Sequence, residues 1–400
     1  MRNSQLGMSD ASPCRMGIIT THPVQYNAPW FRLLNEDPRI ELHVFYTWHD
    51  GSQEIFDEGF GKKVRWDLPL TSGYSYSTHP PNKKISIRTF WNMDSPSLQP
   101  AIEDFHPDVI LVIGWNFRSH YRCLRGLRSD TQVWFRGDST LLGSRSGWRE
   151  VARKQVLKHV YSRVDRVLSV GTNNREYFLH HGLAPDRITF APHAIDNKRF
   201  ADVVNDNIAA QERAAMGIPQ DAVLVSFIGK MDSNKAPGDL LAAFKKARQY
   251  RDDLWLLLVG DGPLRPSLER EIGKTPLIFQ LPFQNQARMP VVYRFGDVTC
   301  LPSRSETWGL CINESFASGR TVISSDTVGG AIDLITPKTG RVFPAGNVEK
   351  LTEILCSLPC RETLLKQGKT CSRFIADWSF DQITKAILDN APRSNCTEKH

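Results

Sequence analysis

The chain carries the stretch Ser303-Arg304-Ser305-Glu306-Thr307-Trp308-Gly309-Leu310-Cys311-Ile312-Asn313-Glu314 between an apolar, strand-like run at 298–301 and a helix-like segment at 309–318. The backbone amides of residues 308–310 then lie in the first turn of a helix, where they have no acceptor within the helix and where the helix dipole is positive. Gly309 lets a ligand approach the backbone closely because it has no side chain. This stretch therefore predicts an anion site where a strand meets a helix.

Two carboxylates flank the expected anion. Glu306 is on the loop beside it, and Glu314 lies more than one turn further along the helix. An ionised carboxylate only accepts hydrogen bonds, so each of the two can hold both hydroxyls of a cis-diol. Polyols on both sides of a phosphate describe a nucleotide sugar. On spacing alone, an equally good interpretation is that both glutamates are solvated charges near the positive end of the helix.

Short apolar runs alternate with amphipathic segments on either side of this stretch. The predicted strands lie at 17–21, 40–48, 109–115, 133–138, 166–171 and 188–195 in the first half, and at 222–228, 254–259, 277–281, 298–301, 321–325 and 341–343 in the second. Such alternation is typical of βαβ units. We predict an α/β fold of two Rossmann-like domains, whose parallel sheets face a central cleft with the carboxyl ends of their strands.

The alternation also divides the chain. We predict, in order, a disordered leader at 1–15, a first domain at 16–197, a polar linker at 198–220, a second domain at 221–376 and a final helix at 377–392 that crosses back to the first domain. The linker ends in Gly217-Ile218-Pro219. Residues 62–90 break the rhythm because they are rich in Tyr, Ser, Pro and Lys, and they are predicted to form an irregular insertion or hairpin.

Composition excludes several classes of protein. The 400 residues are 40% hydrophobic and 23% charged, as in a globular chain. No apolar run approaches the roughly 20 residues that span a bilayer, and the first fifteen residues lack the apolar core of a signal peptide. The eight cysteines include no C-x-x-C pair, and the cluster Cys356, Cys360 and Cys371 has no nearby His to complete a zinc site. Reduced thiols and a cytoplasmic location are therefore expected.

The charge is uneven along the chain. The net charge is +7, and residues 118–175 contain thirteen basic and four acidic side chains. This stretch is either a set of solvated helix faces or a surface for an anionic partner such as a membrane of anionic lipids. No nucleic-acid-binding motif accompanies the charge, so nucleic acid is not expected as a partner.

The stretch at 303–314 resembles the E-x7-E signature of family-4 glycosyltransferases, which have the GT-B fold. The resemblance extends over residues 17–389 through motifs that occur in the family's order: Thr21-His22-Pro23-Val24-Gln25-Tyr26, Pro192-His193-Ala194-Ile195-Asp196 with Phe200, Phe227-Ile228-Gly229-Lys230 with Lys235, Leu258-Val259-Gly260-Asp261-Gly262-Pro263, Gly319-Arg320-Thr321-Val322-Ile323, Val328-Gly329-Gly330 and Gly340-Arg341-Val342-Phe343. Each motif is weak alone, and their order and spacing are specific.

The resemblance implies transfer of a sugar from a UDP- or GDP-linked donor to an acceptor hydroxyl with retention at the anomeric carbon, in cell-envelope or polysaccharide synthesis. Glu314 would bind the ribose, Glu306 the sugar hydroxyls, and Lys230 with Lys235 the diphosphate. No Asp-x-Asp pair occurs in the chain, so no metal and no other cofactor is expected. The remaining donor-binding candidates are Gly229, Gly260, Gly262, Leu281, Pro282, Thr307, Trp308, Gly309 and Leu310.

Acceptor binding and the reaction are expected to use the first domain. His22 and Asp138 are candidate catalytic residues at strand ends, although a structural His and a turn-capping Asp fit equally well. The other acceptor candidates are Gln25, Trp115, Asn116, His120 and Arg136. Two positions depart from the family: Gly114-Trp115-Asn116 stands where many members have a His, and Asp333 stands where many have Glu. The acceptor is expected to be a glycan, a lipid-linked molecule or a small molecule. The protein itself is expected to contact an anionic membrane peripherally.

Two other functions stay open at this point. A sugar-nucleotide epimerase or a phosphorylase shares the fold; release of UDP without an acceptor favours an epimerase, and a phosphorylase needs a cofactor lysine that the sequence does not place. A non-catalytic, nucleotide-sugar-binding subunit is the other alternative. Such a degenerate member would often lose Glu306, Glu314, Lys230 and Lys235, all of which this chain has.

Overall fold

Each half of the chain is built on a parallel β-sheet in the computed structural model, which describes residues 12–49, 51, 55–57, 62–82, 85, 89–143 and 147–392. The strands of the first half are β1 (Cys14–Thr20), β2 (Ile40–Tyr46), β3 (Ile55–Asp57), β4 (Lys62–Val64), β5 (Ser75–Thr78), β6 (Val109–Ile113), β7 (Gln132–Arg136), β8 (Arg166–Ser169) and β9 (Ile188–Phe190). Seven of them form one parallel sheet in the order β5-β2-β1-β6-β7-β8-β9, and β3 pairs with β4 in a separate antiparallel ribbon.

The second half has a six-stranded parallel sheet in the order β12-β11-β10-β13-β14-β15. Its strands are β10 (Val223–Ile228), β11 (Leu254–Val259), β12 (Ile278–Leu281), β13 (Val298–Leu301), β14 (Thr321–Ser325) and β15 (Gly340–Phe343). Helices cover both faces of each sheet, so the central strands are buried on both sides and read as continuous apolar runs. This is why the sequence predicted β11 and β13 with their observed bounds.

Helices connect the strands in both halves. They are α1 (Ala28–Glu36), α2 (Leu98–Phe105), α3 (Arg118–Gly126), α4 (Trp148–Tyr161), α5 (Thr172–His180), α6 (Asn197–Ala201), α7 (Val204–Ala215), α8 (Pro237–Ala247), α9 (Arg265–Ile272), α10 (Met289–Phe295), α11 (Leu310–Ala317), α12 (Ala331–Leu334), α13 (Val348–Cys356), α14 (Arg361–Ile375) and α15 (Phe380–Leu388). The last helix, α15, packs on α1, and its apolar residues Phe380, Ile383 and Ile387 lie in the first-domain core.

Two segments near the start differ from the sequence prediction. The sheet begins at Cys14, which is buried, so the last two residues of the predicted leader belong to β1; residues 1–11 lie outside the described part of the chain. Within the predicted insertion at 62–90, β5 pairs in parallel with β2 at the edge of the first sheet. Its sequence, Ser-Tyr-Ser-Thr, has little apolar character because an edge strand is largely exposed.

The predicted linker at 198–220 also has a different structure. It contains most of α6 and all of α7, and α7 packs on α10 of the second domain. Arg213 of α7 is buried and forms an ion pair with Asp297. Residues 204–215 are therefore part of the second domain rather than a free connection. The sequence analysis also omitted α14. Most of its residues are polar or charged, and only a narrow stripe that includes Leu364, Cys371 and Ile375 is buried.

Candidate active site

A cavity of about 430 Å³ lies between the two domains. The loops after β10, β11, β12 and β13 of the second domain line one side of it, and loops of the first domain line the other. Because the second sheet has the order β12-β11-β10-β13, the lining residues Phe283, Gly260, Lys230 and Glu306 follow one another across the cavity in that order. The sheet therefore sets the direction along which an extended ligand can lie.

Lys235 and Glu306 form an ion pair in the wall of this cavity. The ammonium Nζ of Lys235 donates to Glu306 Oε2, and both side chains are mostly buried. The backbone amide of Lys235 donates to Asp232 Oδ1 at 2.8 Å, which fixes the loop after β10. Burial lowers the pKa of the Lys235 ammonium, and Lys230 nearby lowers it further. The pair brings a cation and a carboxylate together at the point where the sequence predicted a diphosphate beside a sugar.

Glu314 is buried at the same cavity and is held by two phenols. Tyr26 Oη of the first domain donates to Glu314 Oε1 at 3.0 Å, and Tyr293 Oη of α10 donates to Oε2 at 2.6 Å. Burial raises the pKa of Glu314, and the two phenol hydrogen bonds oppose that rise. Each carboxylate oxygen accepts more than one hydrogen bond, so Glu314 keeps acceptor capacity toward the cavity. Sequence reasoning missed both tyrosines; Tyr26 ends the quoted motif at 21–26.

Two glycines allow the loops to pack closely around the cavity. Gly309 has φ +92° immediately before α11, and a Cβ there would lie 2.6 Å from Val328 Cγ1. Gly260 has φ +136°, and a Cβ there would lie 1.9 Å from the carbonyl oxygen of Gly229. Both positions therefore require glycine. Trp308, Gly309 and Leu310, whose amides the sequence analysis placed in the first helical turn, line the cavity.

Asp138 joins the domains on the other side of the cavity. Thr307 Oγ1 donates to Asp138 Oδ2 at 2.7 Å, and His193 Nε2 lies 3.9 Å from the same oxygen. Desolvation raises the pKa of Asp138, but the nearby imidazole of His193 and the hydrogen bond from Thr307 outweigh it and bring the pKa to about 2. Burial lowers the pKa of His193. Asp138 is therefore an anion above about pH 3. His193 was not among the predicted site residues, although it belongs to the quoted motif at 192–196.

Further contacts hold the domains around the cavity. Asp333, which stands where many members of the resembled family have Glu, accepts hydrogen bonds from the amide and the hydroxyl of Thr172, at 2.9 and 2.5 Å. Trp308 is buried, donates from Nε1 to Asn313 Oδ1 at 2.9 Å, and packs against Trp378 with ring centroids 5.3 Å apart. Asp at 333 thus retains the carboxylate and uses it to join the two domains.

The cavity collects most of the predicted donor-binding residues. Those that line it are Gly229, Lys230, Lys235, Gly260, Glu306, Thr307, Trp308, Gly309, Leu310 and Glu314, joined by Gln25 and Asp138 of the first domain. Gly262, Leu281 and Pro282 are not among the lining residues. Leu281 lies in β12, where its carbonyl accepts a hydrogen bond from the amide of Gly260 at 3.0 Å. The residues of the following loop that line the cavity are Phe283, Gln284 and Gln286.

Five of the predicted first-domain candidates do not line the cavity: His22, Trp115, Asn116, His120 and Arg136. His22 packs against the rings of Trp48 and His49. Trp115 packs on the first-domain core, because the positive φ of Gly114 turns the chain at the end of β6. Asn116 is exposed.

His120 and Arg136 have structural positions. His120 is fully buried, between Thr47 Oγ1 at 2.8 Å and the carbonyl of Gly114 at 2.9 Å, and burial lowers its pKa to about 4. Arg136 is buried and donates to the carbonyls of Ala191 and Pro192 at 2.7 and 2.9 Å. Arg136 therefore fixes the segment that carries His193.

The described part of the chain contains no group of three or more His, Cys, Asp or Glu side chains arranged to hold a metal ion. Its seven cysteines, which include Cys356, Cys360 and Cys371, are all free thiols. None of the described helices combines the length and apolar character that crossing a bilayer requires.

The architecture is that of the GT-B glycosyltransferases, and the predicted fold class is confirmed. HepE of Anabaena, solved with UDP and glucose, superposes with a TM-score of 0.67 at 13% identity, covering 94% of this chain and 98% of its own. Sucrose-phosphate synthase from Thermosynechococcus elongatus superposes with a TM-score of 0.68 at 19% identity and the same coverage. At these identities the similarity establishes the fold alone.

Sequence comparison points to the same class. Residues 209–375 match the family model for glycosyl transferases group 1. The D-inositol 3-phosphate glycosyltransferase of Salinispora arenicola is 26% identical over 253 residues, 58% of this chain and 55% of the relative, and that of Rhodococcus opacus is 29% identical over 256 residues, 60% and 55%. The chain thus spans about half the length of the curated relatives it matches. Fold and family match together support a GT-B glycosyltransferase.

Proposed function

We propose that this protein is a retaining family-4 glycosyltransferase that moves a sugar from a UDP- or GDP-linked donor to an acceptor hydroxyl in cell-envelope or polysaccharide synthesis. One observation carries the proposal: Lys230, Lys235, Glu306 and Glu314 line a single cavity together with the first turn of α11. Groups from two loops and one helix meet there, which matches the chemistry of a diphosphate with hydroxyls on both sides.

The second domain would hold the donor. Its diphosphate would lie between the ammonium groups of Lys230 and Lys235 and the amides before α11, and these donors would stabilise the charge that develops on the leaving phosphate. As the diphosphate binds, it would compete with Glu306 for the ammonium of Lys235. Glu306 would then accept hydrogen bonds from the sugar. The two lysines supply the positive charge that a metal ion would otherwise provide, so we propose that no metal is required.

The transfer step would occur on one face of the sugar. The bond between the anomeric carbon and the phosphate oxygen breaks with its electron pair going to the nucleoside diphosphate, and the acceptor oxygen forms the new bond on the same face. The acceptor proton passes to the leaving phosphate. Asp138, a half-exposed anion, would orient the acceptor, with its carboxylate held by the hydrogen bond from Thr307 and close to His193.

A thermal-shift panel of UDP-, GDP- and ADP-sugars tests this function. We expect one base class to raise the melting temperature by several degrees, since ligand at 100 times its dissociation constant adds about 2.7 kcal/mol to stability. The shift should be unchanged by EDTA, and Glu314→Ala should abolish most of it. Failure of every nucleotide sugar to shift the transition would refute the proposal. Release of nucleoside diphosphate from the donor then separates an enzyme from a donor-binding subunit.

We further propose a cytoplasmic protein whose acceptor is presented at an anionic membrane surface. Helix α4 exposes Trp148, Val151 and Val156, which are 76%, 64% and 53% exposed, next to the exposed cations Lys154 and Lys158. Positions 148, 151, 154 and 158 are spaced three or four residues apart, so Trp148, Val151 and the two cations share one face of the helix, and Val156 lies further around it. Apolar side chains with flanking cations suit a helix lying at a lipid headgroup layer.

Binding to vesicles tests the membrane surface. Full-length protein should bind vesicles of anionic phosphatidylglycerol and release as salt rises, but should not bind phosphatidylcholine. The double variant K154E/K158E should bind at least about tenfold more weakly, since each cation contributes about 1 kcal/mol. The matched variant K274E/K369E, which reverses two exposed cations of the second domain, should bind like wild type. If both double variants lose vesicle binding equally, the binding depends on net charge alone, and the proposal for α4 is contradicted.

A further inference from the structure

A short segment of the first domain, residues 65–70, reaches the second domain at one end of the cavity; we call it the strap. Its carboxyl end is fixed to the first domain, because Leu70 is buried in that core and Arg32 of α1 donates to the carbonyls of Pro69 and Ser72. The strap therefore moves with the first domain.

The other end of the strap is bonded to the second domain. Asn285 Nδ2 donates to the carbonyl of Arg65 at 2.7 Å. The amide of Ala287 donates to the carboxylate of Asp67, whose two oxygens lie at 3.1 and 3.2 Å. Each domain thus supplies one backbone group and one side chain. Both bonds cross between the domains, so a separation of the domains at this end of the cavity would break them.

Trp66 lies between these two anchors and lines the cavity. Its ring centroid is 6.4 Å from that of Phe283 in the loop after β12. The amide of Phe283 donates to Asp261 Oδ2 at 3.1 Å, which holds that loop in place. Two aromatic side chains, one from each domain, therefore form the wall at this end of the cavity.

The cavity has a charged part and an aromatic part. Lys230, Lys235 and Glu306 follow β10 and β13, whereas Phe283 follows β12, two strands away from β10. Two strand spacings are roughly 10 Å. A ligand whose diphosphate lies at the charged part can therefore place a flat aromatic base against the wall that Trp66 and Phe283 form.

We propose that Trp66 packs against the nucleobase of the donor, so that recognition of the base depends on closure of the two domains. This inference rests on the proposed function, because it assigns a base-binding residue to the same donor site. Stacking on an aromatic ring accepts purines and pyrimidines alike. Trp66 thus contributes affinity for the nucleotide, and the choice of base depends on other residues.

Binding of UDP and GDP to the full-length chain tests the role of Trp66. For whichever nucleotide binds wild type more tightly, Trp66→Ala should weaken binding about tenfold, the effect of losing one stacked base. Trp66→Phe should restore affinity to within about threefold, because phenylalanine also stacks. Inorganic pyrophosphate, which reaches only the charged part, should bind all three proteins equally. Trp91→Ala, which removes a 73% exposed indole of the same domain, should leave nucleotide binding unchanged.

Indole fluorescence reports the contact directly. The bound base should quench a component of the tryptophan emission that is absent from Trp66→Phe, and Asp67→Ala should reduce that quenching because the strap loses its bond to Ala287. If Trp66→Ala binds the nucleotide as tightly as wild type and no quenching component is lost, the role of Trp66 is overturned while the donor site stands. If wild type binds neither nucleotide, the proposed function and this inference are both overturned.

Discussion

Replacement of Lys235 by alanine is expected to reduce the rate of nucleoside diphosphate release from the donor by about two to three orders of magnitude, the usual effect of removing one donor from a developing oxyanion. Lys235 is the group that the structure places in direct contact with Glu306, in a largely buried part of the cavity. Its loss removes the positive charge that would stabilise the leaving phosphate, and it leaves the Glu306 carboxylate without its ammonium partner. Steady-state release of nucleoside diphosphate from the donor that gives the largest thermal shift measures the effect.

The controls separate charge from packing at this position. Lys235→Arg keeps the charge and should retain more activity than Lys235→Ala, whereas Lys274→Ala removes an exposed lysine of the same domain and should retain full activity. Glu306→Gln should also slow release, but should leave binding of inorganic pyrophosphate intact, since Lys235 and Lys230 remain. Near-normal release by Lys235→Ala with unchanged donor affinity would remove the diphosphate role from Lys235 and with it the charge argument for metal independence.

The second-domain part of the site could be predicted because it depends on local pattern. Lys230, Gly260 and Glu306 each follow an apolar run, and all strands of a parallel sheet end at the same edge. Three loops far apart in sequence therefore had to meet. Spacing put Glu314 on the helix, and only the family resemblance gave it a role in ligand binding; the structure buries its carboxylate at that same cavity.

The first-domain part of the site could not be predicted in the same way. Trp115 was expected in the cleft because it follows a strand, but the direction of a side chain after a strand depends on the turn, and Gly114 with φ +74° sends it toward the core. His120 satisfies both ring nitrogens inside the domain, a bonding pattern that no spacing reveals. Conversely, the Tyr26–Glu314 hydrogen bond joins residues 288 positions apart, and only the relative placement of the two domains creates it.

The predicted linker illustrates a different limit. Residues 198–220 were predicted to be a linker because they are polar and end in Gly and Pro. Polarity did not show that the segment is helical or that one of its charged side chains is buried. Arg213 sits on the exposed-looking helix α7 and yet is only 5% exposed, because its partner Asp297 lies on another element. A long-range ion pair of this kind needs the tertiary structure, since each partner alone reads as a surface residue.

Asp297→Ala should lower the free energy of unfolding of the second domain by about 3–5 kcal/mol, because it leaves buried arginine without its counter-ion. Asp297 is fully buried just before β13, where it accepts hydrogen bonds from Arg213 at 2.8 Å, the amide of Leu224 at 2.9 Å and Arg361 at 3.0 Å. It thereby holds α7, β10 and α14 together at the start of β13, and the loop with Glu306 follows the other end of that strand. Urea unfolding at constant protein concentration measures the loss.

Two further variants identify which property of Asp297 matters. Asp297→Asn keeps an oxygen for the Leu224 amide and removes only the charge, so it should destabilise less than alanine but clearly more than a surface change. Glu349→Gln breaks an exposed ion pair with Lys246 and should leave the unfolding midpoint unchanged. If Asp297→Ala unfolds at the midpoint of Glu349→Gln, the buried pair adds nothing to the second domain, and α7 would be a removable connection after all. If the expected loss is found, the joining segment is part of the framework that holds the donor site.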